Sequence, residues 1–162
     1  TAPRAPPLIT PYDVAEATRH PQDVPADAGH DTPTTTIGDN VAALEETINS
    51  LLAIDGATGA AVVDSNSGMA LASGGQPGFD LDIAAAGNSN VVRAKLATMS
   101  EIGLASAIED ILITLDGQYH LINVLHGEGR DGLFVYLVLD SKRANLALAR
   151  HKLKSIASAI TI

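Results

Sequence analysis

Residues 60–73 read AAVVDSNSGMALAS, two short apolar runs joined by a polar link. Residues 60–63 form the first run and 69–72 the second. Between them lies Asp64-Ser65-Asn66-Ser67-Gly68, which is turn chemistry. Asn and Gly tolerate positive φ, and Asp and Ser side chains bond their own backbone. The pattern predicts a β-hairpin, and the rest of the chain is placed relative to it.

Upstream, residues 39–54 predict an amphipathic helix. Val41, Leu44, Ile48 and Leu51/Leu52 recur at helical spacing, while Glu45, Glu46 and Asn49 lie off the stripe. Asp39 or Asn40 is the natural N-cap, and Asp55-Gly56 the stop. Downstream, Gly74, Gly75, Pro77 and Gly78 predict a loop, and Asp80 caps a long helix running to about Glu101. Leu81, Ala84, Ala85, Val92, Leu96 and Met99 mark one face of it. Ala84-Ala85-Ala86-Gly87 is an unusually small patch, followed by Asn88 and Asn90. A glycine inside a helix costs about 1 kcal/mol relative to Ala. Small side chains let another backbone approach closely, which makes the patch a candidate helix–helix contact. Close packing on the helix's own sheet is the alternative.

Three strands follow Gly103. Residues 108–115 end in Asp116-Gly117, a tight hairpin signal. Residues 119–125 come next. Residues 133–139, LFVYLVL, are continuously apolar, as in a central strand covered on both faces. Asp140-Ser141 then cap a last helix with Leu146, Leu153, Ile156 and Ile160 as its core stripe. Helix, two strands, helix, three strands, helix is the order of a three-layer α/β sandwich on an antiparallel sheet.

Composition sets outer bounds. The 162 residues fit one domain with room for a tail, and 46% are apolar although only 3% are aromatic. The core is therefore aliphatic. With no cysteine, disulfide scaffolds, thiolate metal sites and cysteine nucleophiles are excluded, and a reducing, cytoplasmic setting is expected. No apolar run approaches the roughly 18 residues that cross a bilayer, so membrane insertion is not expected. The start, TAPRAPP, lacks the apolar segment of a signal peptide, and the missing initiator methionine suggests a processed or trimmed start. A net charge of −9 argues against nucleic acid as a partner. Residues 1–37 hold seven of the eight prolines and read as an extended tail or partner-binding segment, with residues 38–162 as the domain. Within the tail, Thr10-Pro11 followed by Asp13 resembles a helix start. Leu8, Ile9, Tyr12 and Val14 are its candidate partner contacts. Residues 141–162 carry five Lys or Arg side chains, plus His151, and no acidic one. They form a solvated helix face or a docking face for an acidic partner, with Arg143, Arg150 and Lys154 as candidates.

Catalytic and cofactor chemistry is not legible. Gly127-Glu128-Gly129-Arg130-Asp131-Gly132 matches G-x-G-x-x-G, but that fingerprint needs a helix after it and a strand follows. Asp64-x-Asn66-x-Gly68 starts like a calcium loop, yet its twelfth position is Gly75 where a Glu is required. His20, His30, His120, His126 and His151 are scattered; His126 beside Glu128 and Asp131 sits in a Gly-rich loop that would not hold ligands in place. Asn123 is the one polar residue suggestive of a pocket. No enzyme activity, metal or cofactor is expected.

The order and spacing of these segments resemble the roadblock (dynein light chain) family. The resemblance rests on a Leu-rich helix (Leu44, Leu51, Leu52), a strand ending in Val63-Asp64, the turn at Gly68 and a strand ending in Ala72-Ser73. It continues through an Ala-rich helix over 83–96 and Asn145-Leu146-Ala147-Leu148-Ala149-Arg150 after a late apolar strand. It covers residues 39–160 and leaves the tail out. It implies a five-stranded antiparallel sheet with the middle helix on one face and the two terminal helices on the other. It also implies a homodimer, or a pair with another roadblock-type subunit, in which the edge strand and the middle helix meet their counterparts. Here these are Ile111, Leu112 and Ile113, with Ala84, Ala85, Gly87, Asn88 and Val91. Members of the family are not enzymes; they regulate or scaffold Ras-like small GTPases or adapt cargo to dynein. The function expected is a dimeric adaptor or regulator of a small GTPase. A structural subunit anchored in a larger protein complex through its tail is one alternative, and a small-ligand sensor domain another.

Overall fold

The computed structural model describes residues 37–161. The tail, with Leu8, Ile9, Tyr12, Val14, His20 and His30, lies outside the described residues. Eight elements follow in order: α1 (Ile37–Leu52), β1 (Ala57–Asp64), β2 (Ala70–Gly75), α2 (Leu81–Glu101), β3 (Asp110–Thr114), β4 (Gln118–Val124), β5 (Leu133–Asp140) and α3 (Leu146–Ser158). The five strands form one antiparallel sheet in the order β2-β1-β5-β4-β3.

The hairpin forms because its turn is self-sufficient. The Asp64 carboxylate accepts from the Ser67 hydroxyl at 2.7 Å and from the amides of Asn66 at 3.0 Å and Ser67 at 3.3 Å. These bonds, the Ser67 hydroxyl first, hold the Asp64 carboxyl below its ordinary pKa. Gly68 supplies the positive φ of 77° that closes the turn. β2 runs further than its sequence suggests, through Gly74 and Gly75. A side chain at Gly74 would meet Ile48 of α1 at 2.7 Å, so the missing Cβ is what lets α1 lie close on the sheet edge.

β5 is the centre. Its residues Leu133 to Leu139 are all buried, as their unbroken apolarity predicts. On one face, α1 and α3 bury Leu44, Ile48, Leu51, Ala149, Leu153 and Ile160 against Val62, Leu121, Val135 and Leu137. On the other, α2 brings Ala85 and Val92 onto Ala61, Val63, Phe134 and Tyr136.

Several local expectations shift. α1 begins at Ile37, so Asp39 falls in its first turn, where a carboxylate suits the helix dipole. Val41, expected on the core stripe, is 51% exposed, and Leu96 of α2 is 42% exposed. Asp80 caps α2 as predicted, accepting from the amides of Asp82 at 2.8 Å and Ile83 at 3.2 Å. α3 starts four residues later than Ser141 would place it. Asp140 stays in the sheet opposite Gln118 and accepts the Lys142 amide in a turn, while Asn145 caps the helix through the Leu148 amide at 3.1 Å.

That late start fixes the joint between α1 and the sheet. Gly56 has φ +84°, and a Cβ there would lie 2.7 Å from both the backbone nitrogen and the Cβ of Ala144. Backbone atoms on both sides cannot yield. Gly56→Ala is therefore expected to destabilise the fold by about 1–3 kcal/mol, measured by urea denaturation. Gly38→Ala, with open space around the site, should instead be neutral or stabilise by up to about 1 kcal/mol.

Candidate partner-binding face

α2 lies over β1 and β2 and leaves the β4–β3 side of its sheet face partly open. Two flanks of the helix do different work. On one, Arg93 donates to the carbonyls of Ser65 at 2.5 Å and Asn66 at 3.0 Å and to Asn90 Oδ1 at 2.6 Å, tying the helix to the β1–β2 turn. The other flank carries Ala84, Gly87, Asn88 and Val91, spaced i, i+3, i+4 and i+7 and so along one side. Ala84 packs among the residues of the α2 face. Gly87 has open space around it, and Val91 and Ile83 are 39% and 73% exposed.

Ala85 is a correction. It is fully buried against Ala61, Val63 and Phe134 of its own sheet, so it is not part of the exposed side of the small-residue patch. Neighbouring residues on a helix point about 100° apart, and the run Ala84-Ala85-Ala86-Gly87 is divided between core and surface. Both readings of the patch, own-sheet packing and an open helix side, thus apply to different residues.

β3 is the sheet edge beyond β4. Ile111 and Ile113 share the α2 face of the sheet with Ile122 and His120, their partners in register. Leu112 points to the opposite face and packs with the α1–α3 core. All three are half-buried. Ile111 and Ile113 thus lie on the same side of the sheet as α2, with His120 opposite Ile113.

His120 is the residue that sequence reading passed over as a lone strand histidine. Its Nδ1 lies 2.9 Å from the Tyr136 hydroxyl and its Nε2 3.1 Å from Gln118 Oε1. Phe79, from the loop before α2, stands 5.6 Å away ring to ring. Alternation along β4 puts Gln118 and His120 on one face, which was a readable signal; their partners on β5 and in the loop before α2 were not.

The remaining candidates resolve as local structure. Arg150 makes a forked pair with Asp110, Nη2 at 2.6 and 2.7 Å and Nε at 3.1 Å, and Lys154 reaches Glu109 at 3.3 Å. Two of the three basic docking candidates are thus satisfied by carboxylates at the start of β3, while Arg143 is exposed in the turn before α3. The Asn123 amide donates to the Glu109 carbonyl at 2.9 Å, the backbone satisfaction that competes with a pocket role. His126 meets the Ile108 carbonyl at 2.8 Å, and Asp131 accepts the Gly127 amide. Gly127 to Gly132 lies in the connection between β4 and β5 and leads into a strand. Among the described residues, no group of three or more His, Asp or Glu could hold a metal ion, and no helix is long and apolar enough to cross a membrane.

No protein-family model matches the sequence, and no curated protein matches it. Solved structures do match the fold. Myxococcus xanthus MglB superposes with a TM-score of 0.64 at 17% identity, over 73% of this chain and 84% of that one. A Roadblock/LC7 domain from Streptomyces avermitilis gives 0.61 at 13% identity, over 72% and 93%. The gliding protein MglB from Thermus thermophilus gives 0.56 at 20%, over 76% and 94%. The fold is the roadblock fold, as the segment order implied.

Gly87 tests the division of α2 directly. With no neighbour within 4 Å, Gly87→Ala is expected to raise stability by about 1 kcal/mol through helix propensity alone. Ala85→Leu, overfilling a closed position, should lower it by about 1–3 kcal/mol. Thermal or urea denaturation of the two variants reads both signs.

Proposed function

We propose that this chain is a non-enzymatic dimeric adaptor or regulator of a Ras-like small GTPase, working in the cytoplasm. The observation that carries the reading is the roadblock fold with its half-buried apolar edge strand β3 and the exposed small-residue flank of α2. An apolar sheet edge needs covering, and a face of this kind marks an interaction site. In the proposed dimer, a second copy, or another roadblock-type subunit, covers Ala84, Gly87, Asn88, Val91, Ile111 and Ile113. Leu112 contributes through the edge backbone of β3 while its side chain serves the core. Residues 1–37, through Leu8, Ile9, Tyr12 and Val14, are proposed as a separate partner-binding segment, with exposed Arg143 as a basic contact.

No arginine is assigned as a catalytic finger. Any effect on hydrolysis would come from positioning the GTPase's own switch residues.

Two measurements test this reading. Sedimentation equilibrium should find a dimer, and Val91→Arg or Ile111→Arg should weaken it by tenfold or more, as burial of an unpaired charge requires. A wild-type monomer at high concentration would refute the dimer. Mixing the protein with the Ras-like small GTPases of its own organism, GDP- and GTP-loaded, should alter GTP turnover or give nucleotide-dependent binding with one of them; no change in either with any would refute the regulator.

A further inference from the structure

The chain holds three Asp-Gly steps, Asp55–Gly56, Asp116–Gly117 and Asp131–Gly132. Each carries a latent reaction, attack of the glycine nitrogen on the aspartate side-chain carbon to close a five-membered imide. Glycine is the residue that favours it, because no Cβ crowds the approach. The ring closes only where the peptide is free to turn, so the fold decides which step reacts.

Two of the three are held. Gly56 is buried, its carbonyl accepts the Asp140 amide at 2.8 Å, and the Ala144 nitrogen would lie 2.7 Å from a Cβ there. Asp131 Oδ1 accepts the Gly127 amide at 3.0 Å. The Gly132 carbonyl accepts both the amide and the hydroxyl of Ser65, at 2.8 and 2.7 Å. Either peptide must break these bonds before it turns.

Asp116–Gly117 is open. Both residues are exposed, between β3 and β4. A Cβ at Gly117 would meet nothing within 4 Å. The type I′ turn that Asp-Gly favours sets its glycine at positive φ, and Gly117 lies outside that region. The connection is held by the Leu115 amide on the Gln118 carbonyl at 2.9 Å and by the Ser141 amide on the Gly117 carbonyl at 3.0 Å. Among the described residues, no hydrogen bond or ion pair engages the Asp116 carboxylate.

We propose that Asp116 is a site of spontaneous backbone modification, cyclising onto the Gly117 nitrogen and reopening as isoaspartate. In the first step the N–Cγ bond forms and a carboxyl C–O bond breaks. The amide hydrogen and the carboxyl hydroxyl leave as water. In the second step water opens the ring. Cleavage between the nitrogen and Cγ restores aspartate. Cleavage between the nitrogen and the Asp116 backbone carbonyl carbon leaves the chain running through Cβ and Cγ, with the former backbone carbonyl as a free carboxylate. Water is the only co-reactant, and no electrons are transferred. The product has one more carbon in its backbone between Leu115 and Gln118. This displaces the Gly117 carbonyl from Ser141, at the end of an edge strand whose one strand neighbour is β4.

The test incubates the full chain at neutral pH, folded and in concentrated urea, and follows each Asp-Gly peptide by chromatography and mass spectrometry. The imide is lighter by one water. The isoaspartyl peptide keeps its mass but elutes separately and fragments differently under electron transfer. In the folded chain Asp116 should convert at least about tenfold faster than Asp55 and Asp131, which react only from locally opened forms. In urea the three rates should converge. Gly117→Ala should slow conversion several-fold, and the open space at that position lets the variant fold. Asp116→Glu, which would need a six-membered ring, should abolish it. In the purified isoaspartyl form the Ser141 amide hydrogen should exchange faster than in the unmodified chain. Equal rates at the three steps of the folded chain, or faster conversion at Asp55 or Asp131, overturn the assignment. An unchanged Ser141 exchange rate overturns the displacement of Gly117.

Discussion

The burial of β5 on both faces is the constraint from which the other placements follow. Side chains alternate across a strand, so Leu133 to Leu139 can all be removed from water only if both sides of the sheet are covered. Val135, Leu137 and Leu139 lie on the α1–α3 side, and Phe134, Tyr136 and Val138 on the α2 side. β1 and β4 flank β5 and spare it an exposed edge. Tyr136 is the one residue from Leu133 to Leu139 with a polar side-chain atom, and leaving that hydroxyl unpaired in the core would cost about 1–3 kcal/mol. His120 Nδ1, 2.9 Å away, satisfies it.

Coverage of the two faces is unequal. Two helices share one side, and a single helix set over β1 and β2 serves the other. The side with one helix is therefore where apolar surface is left over, at Ile111, Ile113 and the outer flank of α2. The opposite side has a closed arrangement: Arg150 and Lys154 of α3 reach the carboxylates of Asp110 and Glu109 at the start of β3. The exposed Lys154–Glu109 pair contributes little to stability, about 0–1 kcal/mol, whereas the Arg150–Asp110 pair is a fork on a carboxylate only 19% exposed and is the better defined of the two. They do, however, occupy charges that the sequence presents as a free basic patch. What the fold offers a partner is accordingly apolar and small-residue surface more than charge.

Legibility in the sequence followed contact distance along the chain. The Asp64 turn, the Asp80 cap and the apolar run of β5 depend on neighbours within a few residues or on a pattern internal to the segment, and each was readable. The start of α3 was not, because Asp140 is held in the sheet by its register with Gln118 and only tertiary structure reveals that competition. Gly74 and Gly75 looked like loop residues; they extend β2 by pairing with Ala60 and Gly59 of β1, and the absent Cβ at Gly74 leaves room for Ile48 from another element. The pair of Arg150 with Asp110 spans 40 positions, and nothing local announces it. The division of the small-residue patch needed only the helical period, applied to Ala85 and Gly87 separately rather than to the stretch as a whole.

The Gln118–His120–Tyr136 chain is also hard to account for as a stability device. A buried polar network is at best comparable to well-packed apolar residues of the same volume, and it is costly when one member loses its partner. Phe at position 136 would remove the hydroxyl that His120 satisfies, with almost no change in shape. The network instead links elements that apolar packing would leave independent: the loop at Pro77, which leads into α2, and the sheet at β4 and β5. His120 lies there opposite Ile113 of the edge strand. A hydrogen-bonded chain with fixed donor directions sets the entry to α2 on the sheet more sharply than contact between Ala84 and its apolar neighbours could, because small side chains leave a helix free to slide. The same smallness that lets a partner approach the outer flank of α2 makes a polar tie beneath it physically useful.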